Sequence, residues 1–225
     1  SGYDLAKDIG PGLAKSAIAV TIDGVQRDLH DVIDADASVS IITIDSDEGI
    51  EIMRHTLTAQ VLARAIKNLY PKSKLAIGPT VQDGFYYDVE SEESISSDDL
   101  SKIEEEMKKI IKTKSAITKK LVSKKEALKI FKSNKEPYKE IIINESDQDD
   151  NFQLYYQDDE EFVDLCRGPH LPNLGFIGSF KLTKVSGAYW KGDSKNSMLT
   201  RIYGTAFNND KDLQNHLDNI EEALK

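Results

Sequence analysis

A chain of 225 residues with 39% hydrophobic and 30% charged residues fits a globular protein of one or two domains. No apolar run approaches the roughly 20 residues of a membrane span, and a single cysteine excludes an internal disulfide and suits a reducing cytoplasm. The net charge of −10 argues against a polyanionic partner, yet the twelve lysines from Lys102 to Lys135 outnumber the four glutamates among them. Acidic residues concentrate from Glu136 to Asp164. Such asymmetry permits a polyanion on one face, and it equally describes a solvated lysine-rich surface.

The N-terminus, Ser1 to Leu5, has no basic or apolar leader pattern. Residues 1 to about 45 read as a small domain. Asp4 to Ile9 has helical spacing and stops at Gly10-Pro11-Gly12; Ile18 to Ile22 and Val39 to Ile44 are strands, with Asp23-Gly24 as a hairpin turn. This sheet lacks partner strands at its start, so the chain reads as beginning inside a domain. Ser46 to Gly49 is a polar boundary, after which Leu57, Val61, Leu62, Ala65, Ile66 and Leu69 form the apolar stripe of a helix ended by Pro71. His55 sits at the start of that helix, where a lone histidine is by default a polar surface residue.

Leu75 to Ile77 and Phe85 to Val89 are strands, and Leu100 to Ile111 is an amphipathic helix. Ser123 caps a second helix, and Pro137-Tyr138-Lys139 leads to Ile141-Ile142-Ile143. Leu154 to Tyr156, Phe162-Val163, Phe176 to Val185 and Met198 to Tyr203 are strands, and Asn208 or Asn209 caps a closing helix through Leu224. Strands and helices mix without regular βαβ alternation, so the fold class is α+β. The densest chemistry is Asp164-Leu165-Cys166-Arg167-Gly168-Pro169-His170, a carboxylate, thiol, guanidinium and imidazole around a Gly-Pro turn.

Six blocks carry a resemblance across essentially the whole chain. They are Arg54-His55, Gly84 to Asp88, Tyr138-Lys139, Asp164 to His170, Gly187 to Asp193, and Arg201 to Ala206. In this order they resemble the N-terminal half of bacterial threonyl-tRNA synthetase. The resemblance implies a ubiquitin-like β-grasp (TGS) domain over residues 1–45, without its first hairpin, and an editing domain over residues 50–225. The aminoacylation core that follows in the family, with its ATP and zinc sites and its dimer contacts, is absent from this sequence. The implied activity is proofreading: cytoplasmic deacylation of seryl-tRNA(Thr), with the tRNA acceptor end and its seryl-adenosine moiety as partner. The alternative is a tRNA-binding module of the same enzyme with weakened catalysis.

By resemblance, His55 and Cys166 hold or activate the attacking water with His170 beside them. Asp164 accepts the seryl ammonium, and Lys139 stabilises charge near the ester. Tyr87 and the Gly78-Pro79 turn line the pocket, and Arg167 and the lysines of 102–135 meet phosphates. One departure stands out, because the family's second histidine, four residues after the first, is replaced here. Alignment from downstream implies a one-residue insertion that puts Gln60 at the second position and Thr56 at the first; alignment from upstream keeps His55. Gln60 can hydrogen-bond a water but is no general base. His55, Cys166 and His170 are also a three-ligand set for zinc, although the resemblance implies editing without a metal or other cofactor.

Overall fold

Every strand pairing in the molecule is antiparallel, as an α+β chain without parallel crossovers requires. The computed structural model describes residues 1–225. Helix α1 (Gly2–Ile9) opens with a capping box between Ser1 and Asp4. α1 ends at Gly10, where the spacing places its stop, and Pro11 then takes the first position of a short second helix α2 (Pro11–Ser16), where its missing N–H costs nothing. Strands β1 (Ala17–Ile22), β2 (Val25–Asp28) and β3 (Val39–Thr43) form a sheet in the order β2-β1-β3. Asp23 and Gly24 both take positive φ, which makes the two-residue hairpin turn. Its register pairs Ala19 with Asp28, placing Asp28 at the hairpin's far end.

Ser46 to Gly49 starts a helix. The Ser46 hydroxyl accepts the Gly49 amide and opens α3 (Asp47–Thr56). A π-helical turn (Leu57–Leu62) continues directly into α4 (Ala63–Leu69), and the Ala63 amide bonds the Thr58 carbonyl five residues back. All six residues of that turn are buried. The wider turn absorbs one extra residue, so the upstream register that holds His55 and the downstream stripe of Val61, Leu62, Ala65 and Ile66 coexist.

The largest sheet runs β10-β11-β6-β4, built from β4 (Lys74–Leu75), β6 (Gly84–Glu90), β10 (Ser179–Tyr189) and β11 (Met198–Phe207), with the short β5 (Thr80–Val81) also on β6. Two of the six resemblance blocks are thus neighbouring strands. Arg201 pairs across from Asp88 and grips it bidentately at 2.8 and 2.9 Å. Helix α5 (Leu100–Lys112) buries Leu100, Ile103, Met107 and Ile110. The third sheet holds β7 (Ile117–Val122), which the lysine-rich sequence hid, with β8 (Phe152–Gln157) and β9 (Val163–Leu165). Helices α6 (Lys124–Ser133) and α7 (Pro137–Glu145) pack on it through Ala127, Phe131 and Ile143, and α8 (Asp210–Ala223), capped by Asn209, closes the chain.

One core of 27 residues spans the N-terminal sheet and the rest, because Ile18, Ala19 and Ile42 pack with Leu57, Ile66 and Phe85. Burial of each large aliphatic there contributes about 1.5–3 kcal/mol. The N-terminal sheet is therefore fastened to the larger part by apolar packing. No helix is long and apolar enough to cross a membrane.

Candidate active site

Three elements converge on a cavity of about 930 Å³: the junction of α3 with the π turn, helix α7, and the end of β9 with the turn after it. Strand alternation aims Asp164 and Cys166 the same way, and the Cys166 amide extends the ladder to the Gln153 carbonyl. His55, Ala59, Gly78, Pro79, Lys139, Asp164, Cys166 and Arg167 all line the cavity. Gly168 reverses the chain with φ 68°, and a Cβ there would lie 2.0 Å from the Tyr155 hydroxyl, so only glycine fits.

His55 Nε2 stands 3.1 Å from Cys166 Sγ, and the Gly168 amide donates to the same sulfur at 3.2 Å. Burial first, then the Asp164 carboxylate, push the Cys166 thiol up to about 12, so it is protonated at neutral pH. Its S–H is then the donor and His55 Nε2 the acceptor. Burial lowers the His55 imidazole below its ordinary value, so His55 is neutral too.

His170 lies behind this pair. Its ring stacks on His55 with centroids 4.5 Å apart, and the Tyr155 ring meets its other side edge-on at 4.5 Å. It does not line the large cavity but a smaller one, of about 340 Å³, beside the N-terminal sheet. Thr56 fixes its tautomer. The Thr56 hydroxyl donates to the Ile52 carbonyl and accepts the Leu171 amide, so it must accept from His170 Nδ1–H at 3.0 Å. Nε2 is left a bare, buried lone pair without a partner. Burial, then the neighbouring His55, hold His170 well below its ordinary value. The unfolded chain thus binds a proton that the folded chain refuses, and stability falls as pH drops below about 6.5. The fall in Tm between pH 7 and pH 5 should therefore be smaller in His170→Gln than in the parent chain. Equal falls in a pair of calorimetric scans would contradict this account of His170.

Lys139 is buried on α7 and forms an ion pair with Asp164 Oδ1 at 2.9 Å, and it donates to the Tyr87 hydroxyl at 3.1 Å. Asp164 Oδ1 also accepts the Leu165 amide, while Oδ2 has no protein partner. The Asp164 and Tyr87 contacts outweigh desolvation and raise the Lys139 ammonium above its ordinary value, so it stays charged. Tyr87 itself is a core residue behind Lys139 and does not line the cavity, contrary to the sequence expectation; burial raises its hydroxyl. A Cβ on Gly78 would meet the Tyr87 ring at 2.2 Å and Thr58 Oγ1 at 2.9 Å, so this wall is backbone pressed against a fixed aromatic.

Gln60 does not reach the cavity either. It is fully buried and accepts from Gln157 Nε2 at 3.1 Å, while Ala59 takes the cavity wall. The π turn rotates residue 60 away, which no hydrophobic period announces. The lysines of 102–135 do not form one face: Lys119 binds Asp28 and Asp31, and Lys120 binds Glu160. Arg54 serves the fold, donating from Nε to the Ala206 carbonyl at 2.9 Å.

The ligand atoms of His55, Cys166 and His170 lie within 4.8 Å of one another, so these three could hold a metal ion. The 3.1 Å between His55 Nε2 and Cys166 Sγ is a hydrogen-bond separation. It is shorter than the roughly 3.5 Å edge that tetrahedral zinc bond lengths impose. As it stands, the cavity combines a neutral imidazole, a thiol donor, a fixed ammonium and an open carboxylate oxygen. That set suits hydrolysis of an ester that carries an amine.

Residues 2–43 match the family described as TGS domain, and residues 153–203 match the one described as "Threonyl and Alanyl tRNA synthetase second additional domain". The chain is 49% identical over 222 residues to a threonine–tRNA ligase of Hahella chejuensis, covering 99% of this chain and 34% of the relative. It is 47% identical over 222 residues to a threonine–tRNA ligase of Prochlorococcus marinus, again covering 99% of this chain and 34% of the relative. The chain thus spans about a third of the length of these relatives. In domain content it corresponds to the N-terminal half of bacterial threonyl-tRNA synthetases.

Proposed function

We propose that this chain, the counterpart of the N-terminal half of bacterial threonyl-tRNA synthetases, is a cytoplasmic proofreading hydrolase that removes serine from mischarged tRNA(Thr). The observation that carries the reading is the buried Lys139–Asp164 pair facing the His55–Cys166 pair across one cavity. Serine lacks one methyl of threonine, and a binding pocket discriminates a methyl by only about 1–3 kcal/mol, so a second hydrolytic site has a physical purpose.

The geometry supports the following roles. Asp164 Oδ2 takes the seryl ammonium. The free third proton of the Lys139 ammonium points charge at the carbonyl oxygen as it becomes an oxyanion. His55, neutral near pH 7, accepts the proton of the attacking water at Nε2, its one bare nitrogen, once the water displaces the Cys166 S–H that holds the ring in place. His170 braces His55 by stacking rather than meeting substrate. The Gly78-Pro79 wall is backbone backed by Tyr87, a stiff surface that would have to exclude the extra methyl of threonine. Arg167, exposed at the rim, meets the acceptor-end phosphates and makes binding salt-dependent.

A second reading keeps tRNA binding and drops the chemistry. It is favoured by Ala59, which puts a methyl where a second titratable group would face the cavity. Incubation of the chain with seryl-tRNA(Thr), with and without a chelator, separates the two. The hydrolase reading expects serine release that survives the chelator. Release abolished by the chelator would make the triad a metal site, and salt-sensitive binding without turnover would support the second reading.

A further inference from the structure

We propose that Asp28, a residue of the N-terminal sheet, is a positioning residue for the His55–Cys166–His170 cluster, so that the TGS unit is a working part of the hydrolytic site. For catalysis the inference rests on the proofreading reading; for the geometry of the cluster it stands alone.

Asp28 ends strand β2, and its carboxylate is divided between two parts of the site. Oδ1 accepts the backbone amide of His170 at 2.9 Å. Oδ2 accepts the Tyr155 hydroxyl at 2.7 Å, and Lys119 Nζ lies 3.1 Å from it. Tyr155 in turn presses its ring edge on His170 and its oxygen on Gly168. One carboxylate therefore fixes both the backbone that delivers His170 and the tyrosine that clamps its ring. His170 stacks on His55, whose Nε2 meets Cys166. Asp28 itself lies outside the large cavity and touches nothing that would react. Charge-assisted bonds of this kind are short and directional, which suits them to holding a stack in register.

The neighbouring Asp31 supplies a control. It pairs across the same interface with Lys119 and makes no contact with Tyr155 or the turn at 166–171. Asp28→Asn keeps the shape but offers one acceptor where two bonds converge, and Asp31→Asn weakens docking alone. Two readouts serve. One is kcat and KM for seryl-tRNA(Thr). The other is the rate of iodoacetamide alkylation at Cys166, the only cysteine, which needs no substrate.

In the full chain, Asp28→Asn should lower kcat about tenfold at nearly constant KM, the kinetic equivalent of one charge-assisted bond. The same variant should speed alkylation several-fold, because the turn that holds the sulfur loosens. Asp31→Asn should change neither. Unchanged alkylation and turnover in Asp28→Asn would overturn the proposal, as would the same changes in Asp31→Asn. If the parent chain releases no serine yet alkylation responds to Asp28 alone, the positioning role stands and the proofreading reading falls.

Discussion

Replacing Lys139 with methionine is expected to lower Tm by roughly 6–20 °C and to reduce serine release by about 10²–10³-fold. Lys139 and Asp164 are both buried and 2.9 Å apart. Methionine fills the volume but leaves a carboxylate without its cation, and breaking such a pair costs about 3–5 kcal/mol. The Tyr87 hydroxyl loses its partner as well. The stability loss should largely disappear in Lys139→Met combined with Asp164→Asn, since the uncompensated charge is then gone, whereas the activity should not return. A double-mutant cycle followed by thermal melts and deacylation rates checks both halves. A Lys139→Met chain as stable and as active as the parent would remove the pair from the account.

His55→Ala should behave oppositely, with a loss of about 10²–10⁴-fold in serine release and little change in Tm. His55 lines the cavity, and its loss removes the bond to Cys166 and the stacking on His170 but breaks no ion pair. Its pKa supplies a second test. Burial lowers it, so the neutral, proton-accepting form predominates at neutral pH. Release above the uncatalysed background should be flat from about pH 7 to 8 and decline only in acid solution. A midpoint above pH 7 would assign the base to another group.

Much of this was legible in the residues, and the failures have physical causes. The blocks at Gly84–Asp88 and Arg201–Ala206 lie together as the paired strands β6 and β11, joined by Asp88 and Arg201. Spacing grouped Asp164, Cys166 and His170, and the first two line one cavity. Spacing could not reveal that the reversal at Gly168 carries His170 behind His55 and onto the smaller cavity. Gln60 was misplaced because a π turn changes which residue faces inward without altering the apolar count. Lys139 looked like one lysine among many, and only the packing of α7 buries it against Asp164. Tyr155 and Asp28 carried no functional signal in the sequence, and Thr56 entered only as an alternative position for the first histidine. Asp28 reaches His170 across 142 residues, a contact that only the docking of the two sheets creates.

The most direct measurement is a pair of time courses, seryl-tRNA(Thr) beside threonyl-tRNA(Thr), each incubated with the unmodified chain. The cavity wall at Gly78-Pro79, backed by Tyr87, predicts serine release at least about tenfold faster than threonine release, the discrimination one methyl affords. Equal release of the two amino acids would contradict a proofreading site built on that wall.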